Sequence, residues 1–346
     1  MTRLSTMMRG MLATALLLGA APLRGEDTPE ERKRVDDSIA RALSFLAKTQ
    51  QANGCWKLDG FGESTAGTSL AVMAFLAAGH VPSEGPYGTT IDRGIRWVLD
   101  HQQDNGMLIE RTSHGPMYDH GISTLMLAEV VGMCDRKTAD DVRKALTSAT
   151  RLILKAQNVA KPNQHAGGWR YNHTSNDSDL SVTGWQLLAL RAAKGCGCDV
   201  PAENIEAAVS YVKRCGRDGR GFGYMPGAQG TPTLTGVGIL ALEVCGEHRD
   251  EMSLSGAQFL MDRPLNTRDN YFYYGVYYCS VGLFKVGGRQ WDEGHRHLRD
   301  ILLSTQENEG SWQSRGAEAN AGRIYCTAMS VLALAVEYQY LPIYQR

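Results

Sequence analysis

Proline is scarce, at 11 of 346 residues, and no apolar run reaches the roughly 20 residues that a membrane-spanning helix needs. An excess of either charge is also missing, since 36 Lys and Arg stand against 37 Asp and Glu, a formal charge of −1. Nothing in that balance would hold a nucleic-acid backbone by counterion release, so nucleic acid is not an expected partner. There is no Walker loop, G-x-S-x-G elbow, H-E-x-x-H pair or dinucleotide fingerprint, and Cys196-Gly-Cys198 lacks the spacing of a zinc or redox motif. The expectation is therefore no cofactor and no metal.

What is present is an ordinary globular balance, 43% hydrophobic and 21% charged, with glycine enriched to 38 residues. Arg3 and Arg9 flank a polar start, Met11 to Ala21 are apolar, and charge resumes at Arg24, Glu26 and Asp27. This is the pattern of a secretory signal peptide, placed at residues 1–25, with an uncleaved anchor as the alternative. An exported protein, periplasmic or extracellular, with no transmembrane helix in its mature part is the expectation. Eight cysteines could pair in such a compartment, but several lie in apolar helical patterns and read rather as buried thiols.

One pattern then recurs along the chain. Phe45-Leu46 leads through Gln50 to Gly54-Cys55-Trp56, and Ile301-Leu302 leads through Gln306 to Gly310-Ser311-Trp312. Looser copies run from Trp97-Val98 through Gln102 to Gly106-Met107-Leu108, and from Leu152-Ile153 through Gln157 to Gly168-Trp169. Tyr211-Val212 before Gly221-Phe222 lacks the Gln, and a fifth unit keeps only Gln258-Phe259-Leu260. Behind each loop comes a small-residue apolar segment with a hydroxyl near its start, at Thr68, Ser123, Thr183, Thr235 and Thr327. Each unit thus reads helix, loop, helix.

Six such hairpins, near residues 34–80, 87–133, 138–195, 199–247, 250–288 and 289–340, fill one domain over 34–346 and leave no room for another. Charged segments such as Asp36 to Lys48 read as outer helices, and the small-residue segments as inner ones. The expected fold is all-α, an (α/α)6 toroid of six helical hairpins preceded by a signal peptide, with an open solenoid as the competing geometry.

These units resemble the QW repeats of the terpenoid cyclase and protein prenyltransferase superfamily, also called prenyltransferase/squalene-oxidase repeat proteins. The resemblance covers nearly all of the chain after the N-terminal run. It implies a toroid with a central apolar cavity, and structural roles for the Gln and Trp. In squalene-hopene-type cyclases an Asp-x-Asp-Asp motif opens an inner helix and protonates an alkene. Here Asp177-Ser178-Asp179-Leu180 stands in the corresponding place, so the resemblance makes Asp179, with Asp177, the candidate catalytic acid. Adjacent carboxylates suit acid catalysis because repulsion raises a pKa, yet Asp179 and Ser181 are equally good helix N-caps. The last Asp of the motif is replaced by Leu180, squalene cyclases have a second helical domain that this chain lacks, and the Asp, Cys and His zinc set of prenyltransferase β subunits has no match.

The loops ahead of the inner segments are rich in aromatics. Tyr118, His120, Trp169, Tyr171, Trp185, Tyr224, Tyr271, Tyr273 and Tyr325 are the candidate substrate-binding residues, able to pack an apolar chain, face a cation or stack on a sugar. His114 and His120 around Tyr118-Asp119 are a weaker acid/base or metal candidate. Three functions follow as expectations. The first is an exported toroid that binds an isoprenoid-like or other apolar small molecule and carries out Asp-initiated cyclase or isomerase chemistry. The second is a noncatalytic binding or scaffold module with a protein partner, and the third a polysaccharide lyase or hydrolase on the same barrel.

Overall fold

The computed structural model describes residues 27–110, 115–217 and 219–345, so the expected signal peptide and His114 lie outside the described residues. Six outer helices alternate with six inner ones among the described residues. The outer set is α1 (Pro29–Thr49), α3 (Gly88–Asp100), α5 (Arg136–Gln157), α7 (Ala202–Cys215), α9 (Glu251–Asp262) and α11 (Gly288–Thr305). The inner set is α2 (Thr65–Ala77), α4 (Pro116–Val130), α6 (Leu180–Gly195), α8 (Pro232–Val244), α10 (Phe272–Val286) and α12 (Gly322–Leu334). Two short antiparallel ribbons, β1 (Lys57–Leu58) with β2 (Gly62–Glu63) and β3 (Gly216–Arg217) with β4 (Gly221–Phe222), lie in the loops.

Sequence periodicity explains the two classes. Along α3, Ile91, Gly94, Ile95, Trp97 and Val98 are buried at helical spacing while Arg93 and Arg96 are exposed, so this helix has one wet face. Every residue of α2 is buried, as expected of a helix enclosed on all sides. α1 starts at a capping box in which the Thr28 hydroxyl accepts from Glu31 N and the Glu31 carboxylate accepts from Thr28 N.

The inner helices pack in the order α2, α4, α6, α8, α10, α12 and back to α2, and α1 packs on both α11 and α12. The array is a closed ring, and the open solenoid is ruled out. The recurring Gln and Trp account for the closure. Trp56, Trp169 and Trp312 donate from Nε1 to the carbonyls of Leu46, Ile153 and Leu302, at 2.8, 2.9 and 2.9 Å, which binds each loop to its own outer helix. Each Gln donates twice, once to the Gly carbonyl of its loop and once to the next outer helix. Gln50 reaches Thr90 O, Gln102 reaches Ala145 O, Gln157 reaches Asn204 O, and Gln306 returns to Ser38 O on α1, all at 2.9 Å. The Ser38 hydroxyl donates back to Gln306 Oε1 at 2.8 Å. Gly310 in the closing loop has φ +98°, and an added Cβ would stand 2.3 Å from Arg41 O. Only glycine allows that approach.

The recurring hydroxyls have a common role as well. Thr68, Thr183, Thr235 and Thr327 accept from the backbone N of Trp56, Trp169, Phe222 and Trp312. In the second hairpin the equivalent acceptor is not Ser123, which accepts from Ser69, but His120 Nδ1, 3.2 Å from Leu108 N.

The middle of the ring is filled. Trp185 on α6 stacks on Tyr277 of α10, centroids 5.4 Å apart and planes at 7°, a contact that spans the helix between them. Tyr274 and Tyr278 pack edge-on against the same indole. At the opposite end the C-terminal segment crosses the ring, with Ile343 N donating to Glu129 Oε2 of α4 at 3.2 Å and Tyr344 OH donating to Leu332 O of α12. A cavity running through the axis is therefore not what the sequence encodes; aromatic packing between α6 and α10 closes it. All eight cysteines are unpaired thiols, four of them buried.

Candidate functional site

The principal cavity, about 850 Å3, is a bowl at the mouth of the ring where inner helices begin. Its walls are Tyr118 from α4, Arg170, Tyr171, Ser181 and Tyr224 around the start of α6, residues 229–234 entering α8, Phe259 of α9 with Arg263 directly after that helix, and Asp269 to Tyr271 with Tyr274 at the start of α10. The N-termini of α6, α8 and α10 thus meet here, and their partial positive charge adds to that of Arg170 and Arg263. Carboxylates also serve inner-helix N-termini, at α10 beside the bowl and at α2 away from it. Glu318 accepts from Tyr273 N and Tyr274 N at 3.1 and 2.9 Å, and Asp119 Oδ1 accepts from the Ser64 hydroxyl and Ala66 N at the start of α2.

Asp179 is fully buried as the N-cap of α6. Its Oδ1 accepts from Val182 N at 2.9 Å and from the Ser181 hydroxyl at 2.7 Å. Because the Ser181 proton is committed to Asp179, Ser181 Oγ is the acceptor for Tyr118 OH, 2.6 Å away. Asp179 does not line the bowl itself, but this file of hydroxyls joins it to a residue that does. Its other oxygen, Oδ2, has no hydrogen-bond partner and lies 3.7 Å from Arg170 Nη1. Burial, opposed by these hydrogen bonds and by Arg170, raises the Asp179 pKa to about 6. When the carboxyl is protonated the file can reverse, Asp179 donating to Ser181, Ser181 to Tyr118, and Tyr118 into the bowl. The arrangement can therefore pass a proton between a buried carboxyl and the cavity.

Arg170 organises the wall. Its guanidinium lies over the Tyr171 ring at 4.7 Å and the Tyr224 ring at 5.4 Å, and the two phenols are hydrogen-bonded to each other. Asp177 Oδ2 is 3.5 Å from Arg170 Nε, so Asp177 meets Asp179 only through this guanidinium. The Tyr274 hydroxyl donates to Ser181 O at 2.8 Å.

Of the aromatics singled out from sequence, Tyr118, Tyr171, Tyr224 and Tyr271 line the bowl together. The others lie elsewhere. Trp169 is sealed in its loop, Trp185 fills the axis, Tyr273 donates to Gln313 O, and Tyr325 is on α12 beside Glu318. His120 is buried: with Nδ1 accepting from Leu108 N, Nε2 is the protonated nitrogen and donates to Ala149 O at 3.2 Å. Burial lowers its pKa to about 4, so it is a neutral packing histidine rather than an acid/base group. Pro116 starts α4 early and makes Tyr118-Asp119-His120 helical, which turns Tyr118 toward the bowl and His120 toward the outer helices. Arg170 and Ser181 stand next to residues already selected, and their place just ahead of an inner helix was a usable signal. Phe259 comes from outer helix α9, in the Gln258-Phe259-Leu260 remnant of the fifth repeat, and Arg263 follows that helix directly; neither carries a sequence signal that places it at the cavity.

The raised pKa has a stability consequence. The folded protein keeps the Asp179 proton that an unfolded chain has lost above about pH 4, so the contribution of Asp179 to stability falls as pH rises from about 4 to about 6 and is level beyond. The two-unit displacement corresponds to roughly 3 kcal/mol. Asp179→Asn, which retains the capping oxygen, is expected to remove this share of the decline in urea-unfolding free energy between about pH 4 and pH 6.

Comparison with known proteins gives the following. The family profile described as prenyltransferase alpha-alpha toroid domain matches residues 6–115, 112–272 and 265–343. Enfumafungin synthase of Hormonema carpetanum is 35% identical over 75 residues, 19% of this chain and only 5% of that protein's length. A type II terpene cyclase from Scytonema, in complex with geranylgeranyl dihydroxybenzoate as substrate, superposes with TM-score 0.57 at 14% identity, over 91% of this chain and 99% of that one. A D-mannose isomerase superposes with TM-score 0.62 at 11% identity, over 90% of this chain and all of that one. At these identities the structures share a fold and nothing finer.

Proposed function

The chain belongs to the prenyltransferase alpha-alpha toroid domain family, and from that premise we propose that it binds an extended apolar molecule of isoprenoid type, with an anionic end, in the tyrosine-walled bowl. The observation that carries this reading is the bowl itself, whose Tyr118, Tyr224, Tyr271, Tyr274 and Phe259 offer aromatic surface while Arg170 and Arg263 offer cationic groups. A volume of about 850 Å3 falls in the range of small-molecule sites. Support also comes from the Scytonema cyclase, whose named substrate carries a geranylgeranyl chain.

In this reading Asp179 supplies a proton through Ser181 and Tyr118, and Asp177 holds Arg170 in place. Tyr171 and Tyr224, hydrogen-bonded to each other, offer their rings to the guanidinium. The N-terminal apolar run supports binding outside the cytoplasm, and no helix among the described residues is long and apolar enough to cross a membrane. The filled axis favours, as a second reading, a module that binds without reacting.

Affinity capture from a lipid extract, read by mass spectrometry, tests the proposal. The wild type is expected to retain an apolar anion, and Tyr271→Ala, at a half-exposed rim position, to retain less. Recovery of no apolar ligand by the wild type would sink the reading, and release of sugar from a polysaccharide would replace it. With a ligand in hand, turnover that is lost in Tyr118→Phe while binding persists separates the reacting module from the silent one.

A further inference from the structure

We propose that Asp27, His295 and Glu337 form a divalent-cation site at the seam where the ring closes. Asp27 stands just ahead of α1, His295 is on α11, and Glu337 is in the turn after α12, so the cluster joins the first hairpin to the last. No spacing motif could reveal it, because the three residues come from segments far apart in the chain.

The ligand atoms already converge. His295 Nε2 is 3.8 Å from Asp27 Oδ2 and 3.6 Å from Glu337 Oε2, and all three atoms lie within 4.8 Å of one another. Around a zinc ion held at about 2.0–2.1 Å, tetrahedral ligands stand roughly 3.4 Å apart. The imidazole therefore needs to approach each carboxylate by only a few tenths of an ångström, and the two carboxylate oxygens, within 4.8 Å of each other, need to close by up to about 1.4 Å, a shift within reach of the partly exposed Glu337 side chain. His295 is 6% exposed, and its Nε2 has no hydrogen-bond partner although it points between two carboxylate oxygens. A cation between the three would satisfy that nitrogen and offset the repulsion of the two acids together.

The surroundings hold the ligands in place. Trp291 stacks on the His295 ring with centroids 4.2 Å apart, which fixes the plane of the imidazole. Arg299 is hydrogen-bonded to Asp27 Oδ1 and, at 3.1 Å, to Glu31, so it engages the oxygen of Asp27 that does not face His295. It thereby orients Oδ2, as supporting partners of metal ligands do. Glu337 is partly exposed and leaves a path for the ion and for a water as fourth ligand. One imidazole with two carboxylates is a donor set for zinc or a neighbouring divalent transition metal. Bound there, the ion would clip residue 27 to residue 337 and tighten the closure made by Gln306.

The alternative is His295 paired with the two acids and no metal. Untagged full-length chain, stripped with a chelator, is titrated with zinc against a competing chromophoric chelator, and its melting is followed with and without zinc. A single saturable equivalent and a higher melting temperature are expected. Glu337→Gln should weaken zinc at least about tenfold, the scale set by even a supporting partner of a ligand, while the zinc-free variant melts like the zinc-free wild type. His295→Ala should abolish the site. The absence of saturable binding by the wild type, or equal affinity in Glu337→Gln, overturns the proposal and leaves the ion pair.

Discussion

Replacing Glu129 by Gln is expected to stabilise the protein above about pH 8 by about 3–5 kcal/mol and to leave it nearly unchanged near pH 4. Glu129 is 2% exposed in the last turn of α4, where Oε2 accepts from Ile343 N and Oε1 has no hydrogen-bond partner. Burial pushes its carboxyl up to about 8, against smaller opposing effects of Ile343 N and Lys285. In the unfolded chain the same group ionises near 4.5. Between these values the folded state alone keeps the proton, so stability falls as pH rises through the window and is constant above it. Gln preserves the acceptor for Ile343 and has nothing to ionise. Urea unfolding at about pH 4 and pH 9 checks this; a Gln variant that is weaker at both values would mean that Glu129 is folded as a paired anion.

The second large effect separates a closed ring from an open row of hairpins. Trp312→Ala and Trp169→Ala should each cost about 3–5 kcal/mol, the usual range for truncating a fully buried aromatic. Both indoles are sealed and both donate to their own outer helix. In an open array the sixth hairpin would be terminal and would fray independently, so its Trp would matter far less than one in the third. In the ring, Gln306 joins the sixth hairpin to Ser38 of the first, and no hairpin is terminal. Equal losses in a single cooperative transition are expected. A small loss for Trp312→Ala, or a separate early transition, would count against closure.

Much of this fold was legible because its information is local. Gln50, Gln102, Gln157 and Gln306 bond four residues onward to the Gly carbonyl in their own hairpins or ten onward in the case of Gln157, so their repetition is a true record of the loops. The second bond of each Gln, to the next helix, leaves no spacing to read, which is why closure was an inference from the number of hairpins. His120 was misplaced for a related reason. It performs the role of a threonine, and the match to Ser123 by residue type concealed it. The site was legible in part. Asp179, Tyr171, Tyr224 and Tyr271 carry their signal in loops before inner helices and Tyr118 in the first turn of one, whereas the Tyr118–Ser181–Asp179 file exists only because α4 and α6 are neighbours. The stacking of Trp185 on Tyr277 likewise depends on two helices facing each other across the ring, and it turned an expected central hollow into a bowl at one mouth.

The most direct test is a crystal structure of the protein grown with a long-chain isoprenoid carboxylate. Continuous density for the chain against Tyr118, Tyr224 and Tyr274, with the carboxylate at Arg170 or Arg263, is the predicted result. A bowl that holds only solvent at saturating ligand, or a ligand seated at another surface, would contradict the account.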